Sequence, residues 1–510
     1  MKPVRVRFAP SPTGALHIGG VRTALYNYLL ARQTGGTMIL RIEDTDQERF
    51  VPGAEPYILD SLRWAGIEID EGVGVGGPHA PYRQSERKEL YGRYAQQLIE
   101  AGHAYYAFDT EAELDAMRER LKSIGAANQQ YGSQTRMSMR NSLTLAPEEV
   151  NRLLRENTPC VIRLKMPAEG EVKLNDLIRG EVVFQNAQVD DKVLMKSDGM
   201  PTYHLANVVD DYLMKISHVI RGEEWLPSAP LHVTLYRLLG WQNEMPQFAH
   251  LPLLLKPDGH GKLSKRDADQ LGFPIFPLSW KDPKSGEISR GYREWGYLPE
   301  AVINFLALLG WNPGTEQELF SKEELVQVFS LNRINKAGAR FDIQKAQWFN
   351  QHYLRAQPDD VLAGYLLSSL KANQINCPQD KAVAIARVLR ERVTFPADFW
   401  EQGKFFFYPP AEYDPQVVAK KWTSTVAAVL DAYRQEIEPL TTLTHTDAKQ
   451  KLDEVCARLQ AKTGQILQPL RTAITGGASG PDLMVTLEIL GPKEVAHRLA
   501  TALHTIKPIA

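Results

Sequence analysis

The chain contains, near its start, a segment that reads VRVRFAPSPTGALHIGG from Val4 to Gly20. Its first five residues alternate apolar and basic side chains, which predicts a strand over residues 4–8. The apolar spacing of residues 21–31 predicts a helix after the intervening loop. Prolines and glycines keep that loop tight, and His17 stands beside the helix N-terminus, where free N–H groups and the helix dipole favour a phosphate. The segment therefore predicts a strand–loop–helix unit that binds a phosphorylated ligand.

A second, cationic segment reads KLSKR at residues 262–266 and follows the apolar run of residues 251–255 and a glycine-containing turn. Two lysines and one arginine would oppose the negative charge that develops on pyrophosphate when an α-phosphate is attacked. Each segment has an ordinary alternative, because a histidine at a helix start often serves as a cap and a lysine-rich loop is often only solvated. Together, and in this order, the two segments predict an ATP site.

The pair resembles the HIGH and KMSKS signatures of class I aminoacyl-tRNA synthetases. The longer match RFAPSPTG at residues 7–14 resembles the glutamyl and glutaminyl branch, and the chain is most similar to the bacterial glutamyl type over essentially its whole length. This resemblance implies an α/β multidomain protein with a Rossmann-like class I catalytic domain, an α+β insertion that binds the tRNA acceptor end, and an all-α C-terminal anticodon-binding region.

The patterns along the chain divide it into four parts, and the resemblance implies the role of each. The Rossmann-like catalytic domain occupies residues 1–83 and 205–258, and the acceptor-end-binding insertion occupies residues 84–204. Residues 259–340 contain the lysine loop and a region expected to contact the tRNA stem. Residues 341–510 are almost wholly helical in pattern, and the resemblance implies that they form the anticodon-binding region.

Composition limits the other possibilities. A length of 510 residues predicts several domains, and 43% hydrophobic with 24% charged residues excludes a disordered chain. No apolar run reaches the roughly 20 residues that cross a bilayer, and residue 1 leads directly into the first strand, so we expect a cytoplasmic protein. The three cysteines are scattered and lack metal-ligand spacing. A net charge of −2 does not exclude RNA, since a local basic stripe can follow a backbone.

An acidic cluster follows a second predicted strand at residues 37–42. Glu43 comes directly after that strand, where open parallel sheets usually bind ligands, and is the candidate we favour. Thr45 and Glu48 have the spacing of a capping box, which predicts a helix that starts inside the cluster. For these two residues and Asp46, capping and ligand binding stay open as alternatives.

A glutamate pocket needs a cation for the side-chain carboxylate and an anion for the ammonium group. Arg7 and Arg221 are available as cations, because a planar guanidinium binds a carboxylate in a bidentate manner. As alternatives, Arg7 could face outward from its strand and Arg221 could pair with Glu223 or Glu224. The resemblance implies that the glutamate site consists of Arg7, Ser11, Glu43, Tyr203, Asn207 and Arg221.

We assign the chemistry to His17 and Lys265, with Lys262 in support. His17 would bind an ATP phosphate from the helix start, and Lys265 would close over the leaving pyrophosphate. Mg²⁺ is expected with ATP because it neutralises the phosphates, although no dedicated metal ligands are visible. The expected ATP-binding residues are Pro10, Ser11, Thr13, Gly14, His17, Gly19, Gly20, Lys262, Leu263, Ser264, Lys265 and Arg266.

Two features depart from the family pattern. Many members bind zinc through cysteines just after a Gly-x-Ala-Tyr stretch, whereas residues 102–109 read GHAYYAFD here. Without thiolates that site cannot form, so we expect no metal site in the protein and no zinc. The stretch at residues 267–290 is longer than the family usually has, and the sequence assigns it no function.

The expected partners are L-glutamate, ATP and tRNA(Glu), with no membrane and a monomeric state. A glutaminyl-tRNA synthetase shares the catalytic half but carries β-barrels at its C-terminal end, which counts against it, and charging of tRNA(Gln) as well as tRNA(Glu) stays open. A nucleotidyltransferase acting on other substrates would not need the helical tail. A scaffold with a dead site would lack one of the motifs, and a truncated paralogue that glutamylates a tRNA base would end before the tail.

Overall fold

The computed structural model describes residues 3–126 and 128–509. The chain forms two compact units. The first comprises the chain up to Trp295 together with Pro299–Ala346, and the second comprises Gly296–Leu298 with the chain from Gln347 onward. The first unit contains a parallel sheet, and the second is built from helices.

The first unit starts with alternating strands and helices, as the strand–loop–helix pattern predicts. They are β1 (Arg5–Phe8), α1 (Ile18–Gln33), β2 (Thr37–Leu40), α2 (Ala54–Trp64) and β3 (Glu71–Gly72). Helix α1 is buried on most sides, and most of its positions are apolar. Both basic side chains of β1 pair with carboxylates, since Arg5 lies 2.8 Å from Glu71 and Arg7 lies 3.0 Å from Asp211.

An α+β segment follows. Its elements are α3 (Lys88–Glu100), β4 (Ala104–Ala107), α4 (Glu111–Ser123), α5 (Pro147–Arg155), β5 (Val161–Leu164), β6 (Glu171–Asp176), β7 (Gly180–Gln185) and β8 (Val193–Met195). Strands β4, β5 and β8 form an antiparallel sheet, and β6 pairs with β7 as a hairpin. Exposed and buried side chains alternate strictly along β6, which is the pattern of a strand with one solvated face.

The parallel sheet resumes after this segment. The elements are α6 (Tyr203–Leu213), β9 (His218–Gly222), α7 (Ala229–Leu238), β10 (Gln247–Leu251), β11 (Leu254–Leu255), α8 (Lys265–Leu271), β12 (Trp280–Lys281), β13 (Ile288–Ser289), α9 (Tyr292–Trp295), α10 (Pro299–Leu308), α11 (Lys322–Val328) and β14 (Ala339–Arg340). The sheet order is β10-β9-β1-β2-β3, with every neighbouring pair parallel. Chain order reverses between β1 and β9, which is where sheets of this kind bind ligands.

The second unit is all-helical among its described residues, as the sequence predicts. Its helices are α12 (Ile343–Arg355, from Gln347 onward), α13 (Asp359–Ala372), α14 (Gln379–Leu389), α15 (Asp398–Gly403), α16 (Pro415–Lys421), α17 (Ser424–Ile437), α18 (His445–Arg458), α19 (Thr463–Thr475), α20 (Leu483–Leu490) and α21 (Pro492–Thr505). Trp422 joins apolar side chains of α17 to α21 in one core. Each of the helices α17 to α21 directs apolar side chains into that core.

The helix predicted inside the acidic cluster does not form, so the capping-box prediction is wrong. Residues 43–50 are irregular, and α2 begins only at Ala54. The competing contacts are long-range: both carboxylate oxygens of Asp44 accept hydrogen bonds from Ser85, at 2.8 and 2.6 Å, and the carbonyl of Thr45 accepts one from Lys196 at 3.1 Å. These tertiary contacts outweigh a local cap.

The extra segment at residues 267–290 packs against the nucleotide fold. The Ile18 N–H donates to the Ile275 carbonyl at 2.9 Å, and the Tyr57 hydroxyl donates to the Leu278 carbonyl at 2.5 Å. The Trp280 ring meets Tyr57 edge-on, with ring centres 5.1 Å apart. This segment thereby forms part of the surroundings of helix α1.

Candidate active site

A cavity of about 510 Å³ opens at the carboxyl ends of β1 and β9. Its lining includes all the residues predicted for glutamate, namely Arg7, Ser11, Glu43, Tyr203, Asn207 and Arg221. It also includes most of those predicted for ATP, namely Pro10, Ser11, Thr13, Gly14, His17, Gly19, Gly20, Lys262 and Leu263. Ser264, Lys265 and Arg266 are not among the described residues that line it. The fold thus gathers both predicted sets, except for the end of the lysine loop.

His17 precedes helix α1 and caps it. Its Nδ1 accepts a hydrogen bond of 3.3 Å from the Gly20 N–H. Desolvation by the cavity walls lowers the pKa of His17, and the positive charge of Lys262 lowers that pKa further. A neutral ring with an accepting Nδ1 carries its proton on Nε2, which can donate to a phosphate oxygen. Capping and phosphate binding are therefore compatible, because they use different ring nitrogens.

Glycines beside His17 leave room for this ring. A Cβ atom on Gly19 would lie 2.8 Å from the imidazole of His17, and a Cβ atom on Gly20 would lie 2.4 Å from the Leu16 side chain. Both distances are shorter than van der Waals contact. A side chain at either position would therefore displace the residues that shape the helix start.

The lysines of the cationic loop contact different carboxylates. Lys262 Nζ lies 3.1 Å from Glu224 Oε1, and both residues line the cavity. Lys265 Nζ lies 3.1 Å from Glu287 Oε2, in the hairpin of the extra segment. Ser264 caps helix α8, with its hydroxyl accepting from the Asp267 N–H. Exposed pairs of this kind are worth about 1 kcal/mol or less, so Lys265 can exchange Glu287 for a phosphate at small cost.

Arg7 belongs to a buried network rather than to an outward face, so the alternative of an outward Arg7 is wrong. It is only 3% exposed, and its Nε and Nη2 lie 3.0 and 3.3 Å from the two carboxylate oxygens of Asp211. Arg41 donates to Asp211 at 2.7 Å and to Glu43 at 3.0 Å. Burial raises the pKa of Asp211, but the two arginines outweigh burial and hold that pKa below its usual value. Buried cations and anions thereby pair with one another beneath the cavity.

Glu43 is the carboxylate of this network that lines the cavity. Besides Arg41, Asn207 Nδ2 donates to its Oε1 at 3.0 Å. Burial raises the pKa of Glu43, against the opposing charges of Arg41 and Arg7. A bound ammonium group would favour the ionised carboxylate.

Arg221 differs from Arg7, because its hydrogen-bond partners among the described residues are neutral groups. Its Nε donates to His250 Nε2 at 3.0 Å, and its Nη1 donates to the Tyr203 hydroxyl at 2.7 Å. Weaker contacts of 3.4 Å reach His232 Nδ1 and the Trp225 carbonyl. Within residues 3–126 and 128–509, no carboxylate forms an ion pair with Arg221, although its side chain is buried, with the residue 5% exposed.

The carboxylates considered as partners of Arg221 pair elsewhere, so that alternative is wrong. Glu223 forms an ion pair with Arg179, and Glu224 pairs with Lys262 at 3.1 Å. A desolvated guanidinium without an anion is costly for a protein to maintain. Its presence in the cavity wall indicates a site for an anionic ligand group.

Two family models match the chain. The model of class I tRNA synthetases (E and Q), catalytic domain, matches residues 3–348, and the model of the anticodon binding domain matches residues 351–503. A glutamate–tRNA ligase of Cytophaga hutchinsonii is 58% identical over 506 residues, with 99% of this chain and 98% of that protein covered. The chain belongs to the glutamate–tRNA ligase family.

Two further relatives support this family assignment. A glutamate–tRNA ligase of Amoebophilus asiaticus is 57% identical over 508 residues, with 100% of this chain and 99% of the relative covered. The crystal structure of a glutamate tRNA ligase from Elizabethkingia meningosepticum, in complex with its amino acid, has a TM-score of 0.96 at 47% identity and covers 99% of this chain and 100% of that chain. The ligase is therefore a class I aminoacyl-tRNA synthetase, and the glutaminyl alternative finds no support in these comparisons.

The groups that hold the pocket arginines in this ligase were not predicted from the sequence. Asp211, His232 and His250 are each at most 2% exposed and contact Arg7 or Arg221. Burial lowers the pKa of His232 well below its usual value, and the charge of Arg221 lowers that pKa further, so the ring is neutral at pH 7. Asp211 ends the YHLANVVDD run, and a buried acid there is a signal that could have suggested a basic partner.

The described part of the ligase offers neither a metal-binding cluster nor a helix that could cross a membrane. Residues 3–126 and 128–509 contain no group of three or more His, Cys, Asp or Glu side chains arranged to hold a metal ion. Cys160, Cys377 and Cys456 are free thiols. None of the helices described is long and apolar enough to span a bilayer.

Proposed function

We propose that this ligase activates L-glutamate with ATP and transfers the glutamyl group to the 3′-terminal adenosine of tRNA(Glu). In the first step a glutamate α-carboxylate oxygen attacks the α-phosphorus, the bond to the bridging oxygen breaks, and pyrophosphate leaves. In the second step the ribose hydroxyl attacks the acyl carbon, loses its proton and releases AMP. The observation that carries the proposal is the buried, anion-free Arg221 in the wall of the cavity.

Recognition of glutamate rests on two opposite charges in the cavity. Arg221 would bind the γ-carboxylate together with the Tyr203 hydroxyl, which already accepts from its Nη1 at 2.7 Å. Glu43 would accept from the ammonium group, and Asn207 and Ser11 would complete the polar shell. Arg7 lines the same cavity, but its charge is balanced by Asp211, which supports a secondary role in binding the substrate.

Activation would depend on charge stabilisation rather than on covalent chemistry. His17 would donate from Nε2 to a phosphate of ATP at the start of α1, where the helix dipole favours an anion. Lys262 would bind the phosphates at the cavity mouth, and Lys265 would leave Glu287 and close over the pyrophosphate. Mg²⁺ would arrive with the nucleotide and neutralise its phosphates.

The remaining parts of the chain would bind tRNA. Residues 84–204 would hold the acceptor end, residues 259–340 would carry the lysine loop and the stem contact, and residues 341–510 would bind the anticodon region. The match of residues 351–503 to an anticodon binding domain supports the last of these roles. We further propose that the ligase acts as a monomer in the cytoplasm.

Aminoacylation of purified tRNAs tests the proposal. The ligase should release pyrophosphate from ATP and attach glutamate to tRNA(Glu), and it should not attach glutamine, since the neutral amide cannot replace the γ-carboxylate against Arg221. A parallel reaction with tRNA(Gln) measures whether that tRNA is charged as well. Attachment of glutamine, or failure to charge either tRNA with glutamate, would refute the proposed substrate.

A further inference from the structure

Asp176 lies at the end of β6, outside the cavity, and its carboxylate is surrounded by hydrogen-bond donors. Oδ1 accepts from the N–H groups of Ile178 and Arg179, both at 2.9 Å. Oδ2 accepts from the His250 N–H at 3.1 Å and contacts His250 Nδ1 at 2.6 Å. Both side chains of the Asp176–His250 pair are fully buried. A group that only accepts is therefore required at this position.

These contacts select one tautomer of His250. A guanidinium has only donors, so His250 Nε2, which lies 3.0 Å from Arg221 Nε, must accept and carries no proton. The ring proton then lies on Nδ1, where Asp176 accepts it. Only with this tautomer can Arg221 donate to His250 and His250 donate to Asp176 at the same time, because a proton on Nε2 would point at the Arg221 N–H.

We propose that Asp176 is a positioning residue for glutamate recognition, which acts through the His250 ring to orient the Arg221 guanidinium. The inference rests on the proposed role of Arg221. His250 is the described residue that accepts from Nε, so it sets the plane of the guanidinium. The Nη atoms on the other edge then stay directed toward Tyr203 and the cavity.

The turn that carries Asp176 is fixed against strand β10. The Leu177 N–H donates to the Phe248 carbonyl at 2.8 Å, and Arg179 Nε donates to the His250 carbonyl at 3.2 Å. Asp176 therefore keeps a defined position relative to the pocket. Charge selection in the catalytic fold depends in this way on a residue of the α+β segment.

Asp176→Asn separates positioning from packing, since it keeps the shape of the side chain. The amide must turn its NH₂ group toward donors on either side. Facing Ile178 and Arg179 it meets two backbone N–H groups that cannot change, whereas facing His250 it meets only one, and a tautomer switch relieves its contact with the ring. The switch moves the ring proton to Nε2, against Arg221, and disturbs the guanidinium.

Steady-state aminoacylation of tRNA(Glu) by full-length variants tests the proposal. Asp176→Asn should raise the KM for glutamate on the order of tenfold, as for a lost hydrogen bond to a charged group, with the KM for ATP within about twofold of the original. In His250→Gln, the amide oxygen can accept from Arg221 while its NH₂ donates to Asp176, so this variant should retain more glutamate affinity than Asp176→Asn. The double variant Asp176→Asn/Arg221→Gln should have a KM for glutamate no higher than that of Arg221→Gln alone.

Asp191→Asn is the matched control, because Asp191 is another fully buried aspartate of the same segment that accepts from Tyr105 and the Met166 N–H. It should lower the melting temperature without changing the KM for glutamate. An unchanged glutamate KM in Asp176→Asn, or equal rises in the glutamate and ATP KM values, would overturn the positioning role. If Arg221→Gln itself leaves glutamate binding intact, the proposed pocket fails instead, so the two failures are distinguishable.

Discussion

Replacement of Arg221 with Gln should affect stability and glutamate binding in different directions. Arg221 is a buried cation with neutral neighbours, and the described residues offer it no carboxylate. In the enzyme without glutamate its removal breaks no ion pair and eliminates a desolvation cost of several kcal/mol. The substitution leaves acceptors such as His250 Nε2 without a strong donor, which costs about 1–3 kcal/mol. The melting temperature should therefore stay the same or rise.

Binding of glutamate should fall sharply in the same variant. The γ-carboxylate would lose its charged partner inside a desolvated pocket, at a cost of about 2–5 kcal/mol. This corresponds to a decrease in kcat/KM for glutamate of about 30- to 4,000-fold. A saturating ligand at 100 times its Kd stabilises a protein by about 2.7 kcal/mol, so the variant should also lose the glutamate-induced rise in melting temperature.

Both quantities can be measured on one sample. The aminoacylation rate as a function of glutamate concentration gives the KM, and melting curves with and without glutamate give the stability. Arg5→Gln is a matched control, since Arg5 lies on β1, the strand beside that of Arg221, but pairs with Glu71 at 2.8 Å and does not line the cavity. That variant should melt at lower temperature with an unchanged KM for glutamate. The reasoning is refuted if Arg221→Gln instead melts at lower temperature and retains its KM, in which case glutamate specificity would pass to Arg7.

Three further outcomes are expected. Lys265→Ala should slow adenylate formation about 100-fold in a pyrophosphate exchange assay with tRNA, because it removes transition-state charge stabilisation. The control Glu287→Gln should change that rate by no more than about fivefold. Equal rates for Lys265→Ala and the original enzyme would contradict the assignment. Chelator treatment should leave the melting curve unchanged, and stoichiometric zinc in metal analysis would reveal ligands that the sequence did not indicate. Burial lowers the pKa of His204 to about 4, with a smaller effect of Lys192, so between pH 6.5 and 4 the unfolded chain binds a proton that the folded chain excludes. The melting temperature should therefore fall as the pH drops through this window. His204→Gln should make that fall smaller.

Local patterns allowed much of the fold and the candidate site to be predicted. The alternation at residues 4–8 and the apolar spacing at residues 21–31 depend on near neighbours, and they became β1 and α1. The helical tail was likewise visible in its periodicity. Motif residues such as His17 and Arg221 could be named because few residue types can bind a phosphate or a carboxylate, and both line the cavity.

The errors have a common physical cause, which is contact between distant segments. Thr45 and Glu48 have a correct local capping pattern, but the neighbouring Asp44 carboxylate accepts hydrogen bonds from Ser85, far along the chain. The ion-pair alternative for Arg221 considered only its sequence neighbours, whereas Glu223 pairs with Arg179 in another element. Tertiary partners of this kind leave no local pattern in the sequence.

The neighbouring strands β1 and β9 also have a consequence for how the chain is made. Arg5 on β1 donates to Ser217, just before β9, across 212 residues of sequence. At about 5–20 residues per second, a ribosome needs roughly 10–40 s to synthesise that interval. During this time one edge of β1 lacks its partner, while the antiparallel pairs of the intervening segment can fold from closer contacts. A nascent chain stalled before β9 would expose an unpaired parallel strand and bind chaperones, and it could not recognise its amino acid until the second half of the sheet emerged.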